Sequence, residues 1–78
     1  MKREKILETL QEMIMPYLDH PCAIEMESDL LNDLRINSID LVHIVAEIED
    51  FFKCSIYDEQ MFHMRLVKDL VQFLSKET

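Results

Sequence analysis

Ser38-Ile39-Asp40-Leu41-Val42-His43-Ile44-Val45-Ala46-Glu47-Ile48-Glu49-Asp50-Phe51-Phe52 is the segment from which the architecture can be read. Leu41, Ile44, Val45, Ile48 and Phe52 recur at i, i+3, i+4, i+7 and i+11, the period of a helix with one buried face. Ser38 stands just before that run and Asp40 falls in the first turn, where a helix start favours a hydroxyl cap and a negative charge. Ile39, Val42 and Ala46 form a second apolar row at i, i+3 and i+7. A helix on a one-sided core has no need of two rows, so the second is expected to stay partly exposed.

Toward the amino terminus, residues 19–37 read as a long connection. Pro21 breaks regular structure, and Met26 is an apolar anchor in the polar stretch from Glu25 to Asp29. Ser28-Asp29-Leu30-Leu31 reads as a short turn capped by the Ser28 hydroxyl. Leu30, Leu31, Leu34 and Ile36 are expected to pin the connection to the core, since one of this length in a small domain carries structure or function. Before it, Ile6, Leu7, Leu10, Met13, Ile14, Tyr17 and Leu18 make one apolar stripe, with Glu4, Lys5, Glu8 and Glu12 off it. Pro16 should end or kink that helix near Met15.

Toward the carboxyl terminus, Lys53-Cys54-Ser55-Ile56-Tyr57 reads as an extended link. Asp58-Glu59 opens a short helix through Met61, Phe62 and Met64. Val67, Leu70, Val71 and Leu74, with Phe73 beside them, make the last helix. No alternation is long enough for a strand. The expectation is one all-α domain over residues 1–78, a small antiparallel bundle of three main helices plus one short helix, with a long first loop.

Composition removes several functions. There is no glycine in the chain, so a P-loop, a dinucleotide fingerprint and an EF-hand are all excluded, because each needs glycine where the backbone crowds a ligand or turns through positive φ. The net charge of −8 argues against nucleic acid, whose affinity comes from neutralising phosphates. The excess is local. Residues 19–62 hold eleven acids against Arg35 and Lys53, net −9, while residues 1–18 balance and residues 63–78 are net +1. Beside an apolar row, that charge reads as a docking surface for basic partners, the plainer alternative being a solvated face.

No apolar run approaches the roughly 18 residues of a membrane span, and the amino terminus leads into amphipathic sequence, not into a signal core. No membrane insertion is expected, and a cytoplasmic monomer with Cys22 and Cys54 reduced is the reading. His20, His43, His63 and the two cysteines lack close ligand spacing, so no metal is expected. Ser38 has no His–Asp partner pattern, so enzyme activity is not expected either.

Asp33-Leu34-Arg35-Ile36-Asn37-Ser38-Ile39-Asp40-Leu41-Val42 resembles the attachment motif of acyl carrier proteins, written Leu-Gly-x-Asp-Ser-Leu-Asp-x-Val. Glu49-Asp50-Phe51-Phe52 is similar to the acidic-aromatic end of that family's second helix. Ile56-Tyr57-Asp58-Glu59 is similar to its Ile-Pro-Asp-Glu lead into the third, and Val67-Lys68-Asp69-Leu70-Val71-Gln72-Phe73-Leu74 to the start of its last helix. The blocks keep their order and spacing over nearly the whole chain.

The resemblance implies a covalent 4′-phosphopantetheine on Ser38, acyl groups carried as thioesters on its distal thiol, and delivery to biosynthetic enzymes. A phosphopantetheinyl transferase and acyl-transferring or acyl-modifying enzymes with basic docking patches are the implied partners. The cargo stays open among fatty acyl, polyketide, aminoacyl and specialised lipid groups. Independently of the family, a serine at a helix start suits a phosphodiester anion, although a plain N-cap serine also fits that position. Ile39, Val42 and Ala46 would then contact the arm and partner enzymes, with Asp40, Glu47, Glu49 and Asp50 around them and Arg35, Ile36, Asn37 and His43 joining the recognition patch. Ile56, Met61 and Met64 are candidates to line a shelter for an acyl chain, ordinary core packing being the alternative.

Four residues depart from the family pattern. Asn37 replaces the usual Asp, Ile39 replaces Leu, His43 stands where an acid is common, and Arg35 stands where Gly is common, so the loop is expected to manage without positive φ there. The competing reading is an unmodified helical interaction module with the carrier fold. The start of the first helix almost at residue 1 is read as the mark of a free-standing carrier.

Overall fold

The computed structural model describes residues 2–20, 22–61 and 63–77. Among them the chain forms α1 (Arg3–Ile14), α2 (Ser38–Phe52), α3 (Asp58–Met61) and α4 (Val67–Glu77), with a 3₁₀ turn at Met15–Tyr17 after α1. The bundle is all-helical, with three main helices, one short one and a long first connection. α1 packs against both α4 and α2.

Each main helix contributes the stripe its period demands. Ile6, Leu10 and Ile14 of α1, Ile44 and Ile48 of α2, and Val67, Leu70, Val71 and Leu74 of α4 are almost wholly removed from water. Each such aliphatic side chain stabilises the fold by about 1.5–3 kcal/mol relative to leaving it exposed. Phe52 closes the same core, and Leu41 and Val45 pack half-buried against it. α1 stops at Ile14 because Pro16 cannot continue the ladder. Pro16 instead sits in the first turn of the 3₁₀ segment, where no donor is needed.

The connection before α2 departs from the sequence reading at Leu31 and at the cap of its turn. Leu30, Leu34 and Ile36 are buried, but Leu31 is about half exposed. The turn at residues 29–32 is capped by Asp29, whose Oδ1 accepts the N–H groups of Leu31 and Asn32, both at 2.9 Å. The Ser28 hydroxyl accepts from the Glu25 N–H at 2.9 Å instead. A carboxylate one residue later reaches two donors at once and so displaces the hydroxyl.

This loop docks on the start of α4. Leu30 N–H donates to Arg65 O at 2.8 Å, Val67 N–H to Ser28 O at 3.0 Å and Lys68 N–H to Met26 O at 2.9 Å. α3 ends at Met61, so Met64, expected within it, lies on the turn that follows. Pro21 and Phe62 lie outside the described residues.

Candidate functional site

The chain enters α2 along a pinned track. Leu34 and Ile36 are buried, and Ile36 N–H donates to Leu30 O at 3.1 Å. Arg35, between them, is exposed and takes φ 53. The loop therefore does use positive φ where the family has glycine, contrary to the sequence expectation.

Asn37 is the N-cap of α2. Its Oδ1 accepts the Asp40 N–H at 2.8 Å, and its Nδ2 donates to Asp40 Oδ2 at 3.2 Å. Ser38, read from sequence as the capping hydroxyl, is instead the first helical residue. The signal for this was present in the Asn-x-x-Asp spacing of residues 37 and 40.

The consequence for Ser38 is direct. It is exposed, and its hydroxyl enters no hydrogen bond among the described residues. Asp40 N–H is taken by Asn37 and Leu41 N–H donates to Asn37 O, leaving the Ser38 and Ile39 N–H groups at the helix start available to an anion. The hydroxyls of Ser28 and Ser75 are engaged with backbone, Ser75 donating to Gln72 O at 2.8 Å. Ser55 lies exposed in the link after α2.

Ile39 is 72% exposed and Val42 65%, with Ala46 exposed along the same row. His43, Glu47 and Asp50 are exposed on this side of α2, and Asp40 is half-buried. Two residues of the expected patch have internal duties. Ile36 is buried in the core, and Glu49 is half-buried, its Oε2 accepting the Ile56 N–H at 2.7 Å.

Next to this face is a cavity of about 400 Å³ lined by Leu30, Leu31, Leu41, Met61 and Met64, with Asp58 and Arg65 completing its wall. Of the residues considered for an acyl-chain shelter, Met61 and Met64 line this cavity. Ile56 is buried and does not line it. Burial, and then the charges of Glu77 and Glu49, push the Cys54 thiol above its ordinary value, which keeps it protonated. No group of three or more His, Cys, Asp or Glu able to hold a metal assembles among the described residues.

The longest helix of this all-helical bundle begins on an exposed hydroxyl that makes no hydrogen bond among the described residues. The family whose description is phosphopantetheine attachment site matches residues 8–74. The chain is 37% identical over 75 residues to the acyl carrier protein of Coprothermobacter proteolyticus, covering 95% of this chain and 92% of that one. It is 38% identical over 72 residues to the acyl carrier protein of Phytoplasma mali, covering 91% and 86%. A solved structure of the acyl carrier protein from Enterococcus faecalis matches over the whole of both chains, with a TM-score of 0.82 and 25% identity. The chain belongs to the acyl carrier protein family. It is a carrier protein, and its cofactor is a covalently attached 4′-phosphopantetheine. Among the described residues, no helix is long and apolar enough to cross a membrane.

Proposed function

We propose that Ser38 Oγ holds the 4′-phosphopantetheine arm and that this single-domain carrier presents acyl intermediates to biosynthetic enzymes along α2. The observation that carries the reading is the exposed Ser38 hydroxyl, freed from capping by Asn37, with unpaired N–H groups beside it at the helix start. A phosphodiester formed there would be favoured by those donors and by the positive end of the helix dipole. The thioester chemistry belongs to the sulfur of the arm.

The chain's own residues orient and recognise. Asn37 and Asp40 fix the helix start, so the serine is presented at a constant angle. Ile39, Val42 and Ala46 offer an apolar strip that excludes water at a partner's surface, and Glu47 and Asp50 steer basic patches toward it. Such an interface favours fast arrival and brief residence, which suits a protein that visits several enzymes. The cavity lined by Leu30, Leu31, Leu41, Met61 and Met64 is an apolar space beside α2 in which a growing acyl chain would be shielded between visits.

Co-expression with a phosphopantetheinyl transferase tests the attachment. Intact mass is expected to rise by one phosphopantetheine unit, and Ser38→Ala to remain at the unmodified mass. No gain with any of several transferases would favour the unmodified interaction module instead.

A further inference from the structure

We propose that a second groove, between the end of α1 and the carboxyl-terminal half of α2, docks a basic amphipathic helix of a partner protein. Its apolar surface is Met13, Pro16, Tyr17 and Phe51. The remaining lining is Glu12, Glu47 and Asp50, with no basic residue among the lining side chains. An apolar floor within a purely acidic rim is complementary to a segment that places a large apolar side chain between lysines or arginines. Two neighbouring rods form the walls, and a third helix is the shape that seats between them.

Met13 and Tyr17 pack half-buried against the core, while Phe51 is left 52% exposed although α2 already closes its buried face with Phe52. The Phe51 ring meets Phe52 edge-on, with centroids 5.0 Å apart, so an exposed aromatic is held in one orientation by a core residue. Burial, and then the Glu47 carboxylate, push the Tyr17 phenol above its ordinary value, and it stays a neutral donor on the groove wall.

The groove shares Glu47 and Asp50 with the exposed face of α2, but its apolar residues lie toward the far end of that helix. Twelve residues along a helix put Phe51 roughly 18 Å beyond Ile39 and about 120° around the axis from it. The proposal goes beyond the carrier reading and does not require Ser38 to be loaded.

The test uses isotope-labelled full-length protein titrated with a synthetic peptide of about 18 residues, long enough to form a helix. One face of the peptide carries leucine and phenylalanine, the other lysine and arginine. Saturable amide shifts are expected at residues 13–15, 17 and 47–51. Phe51→Ser should weaken binding by about tenfold or more. Glu12→Lys, an exposed change that leaves the Phe51–Phe52 contact intact, should weaken it and flatten its salt dependence. Shifts centred on Ile39, Val42 and Ala46, no saturable shift, or unchanged affinity in both variants would overturn the proposal. In parallel, both variants should gain the phosphopantetheine mass as the parent chain does. A parent chain that gains none would defeat the carrier reading and leave the groove mapping intact.

Discussion

Lys53 and Arg35 turn the backbone through φ 55 and 53 in a chain that has no glycine to place there. A side chain in the left-handed region costs roughly 1–2 kcal/mol, so both positions must be held by their surroundings. At Lys53 the N–H groups of residues 53 and 54 both return to Glu49 O, closing the last turn of α2. At Arg35 the neighbours Leu34 and Ile36 are both buried, and Ile36 N–H is tied to Leu30 O at 3.1 Å, which holds the segment against the core. Lys53→Gly and Arg35→Gly are each expected to raise stability in urea unfolding by about 0.5–1 kcal/mol. A decrease at either position would mean that its side chain makes a compensating contact. Lys53 was not legible in sequence, and Arg35 was marked only by the glycine common at that place in the family, from which the opposite conformation was read. Glycine is what normally marks such a turn, and a left-handed lysine or arginine reads like any exposed charge.

Three helices close their first turn with a side chain three residues apart from its partner, in two directions. At α2 the cap reaches forward, Asn37 Oδ1 accepting the Asp40 N–H; at α3 and α4 the third helical residue reaches back, Gln60 Oε1 accepting the Tyr57 N–H at 2.9 Å and Asp69 Oδ2 the Leu66 N–H at 3.1 Å. This local device satisfies donors that the helix leaves open, and its energy is that of a cap. Asn37→Ala is expected to lower stability by about 1 kcal/mol. Asn37→Asp should lower it less at neutral pH, because the acceptor for Asp40 N–H survives while the donor to its carboxylate is lost. Urea midpoints of the two variants check the order, and equal losses would show that the oxygen contributes nothing.

Helical faces were the best-read feature of the sequence. Both apolar rows of α2 and the Pro16 break after α1 follow from local spacing and proline chemistry, which do not depend on what the helix meets. The capping residues were misassigned at Ser28 and Ser38 because a neighbouring Asp or Asn competes for the same donors. Geometry one residue away decides that contest.

The molecule as a whole is tied together at Asp29, which is 7% exposed. Its carboxylate accepts from Asn32, Leu31 and the Arg65 guanidinium, the last at 2.8 Å across 36 positions of sequence. Those bonds, the Asn32 N–H foremost, hold the Asp29 carboxyl below the usual carboxylate range. A depressed folded-state value stabilises the protein above the unfolded pKa of roughly 3.9, and that contribution is lost as pH falls through the lower folded value. Asp29→Asn should therefore lie well below the parent in urea midpoint near neutrality. The gap should narrow as the medium is acidified below about pH 4. A gap that is constant with pH would remove the charge from the explanation.

The amino-acid sequence determined by itself that this chain makes helices, which faces they bury, where the acidic charge gathers and which serine opens the longest helix. All of these follow from short-range periodicity and local charge. The Asn-x-x-Asp spacing carried a local signal for the Asn37 cap that Ser38 competed with, while tertiary structure alone decided that Asp29 meets Arg65 and that Met13, Pro16, Tyr17 and Phe51 share one groove. Each depends on segments that packing of the common core brings within hydrogen-bond or van der Waals reach, or on a competition between adjacent side chains that composition cannot rank.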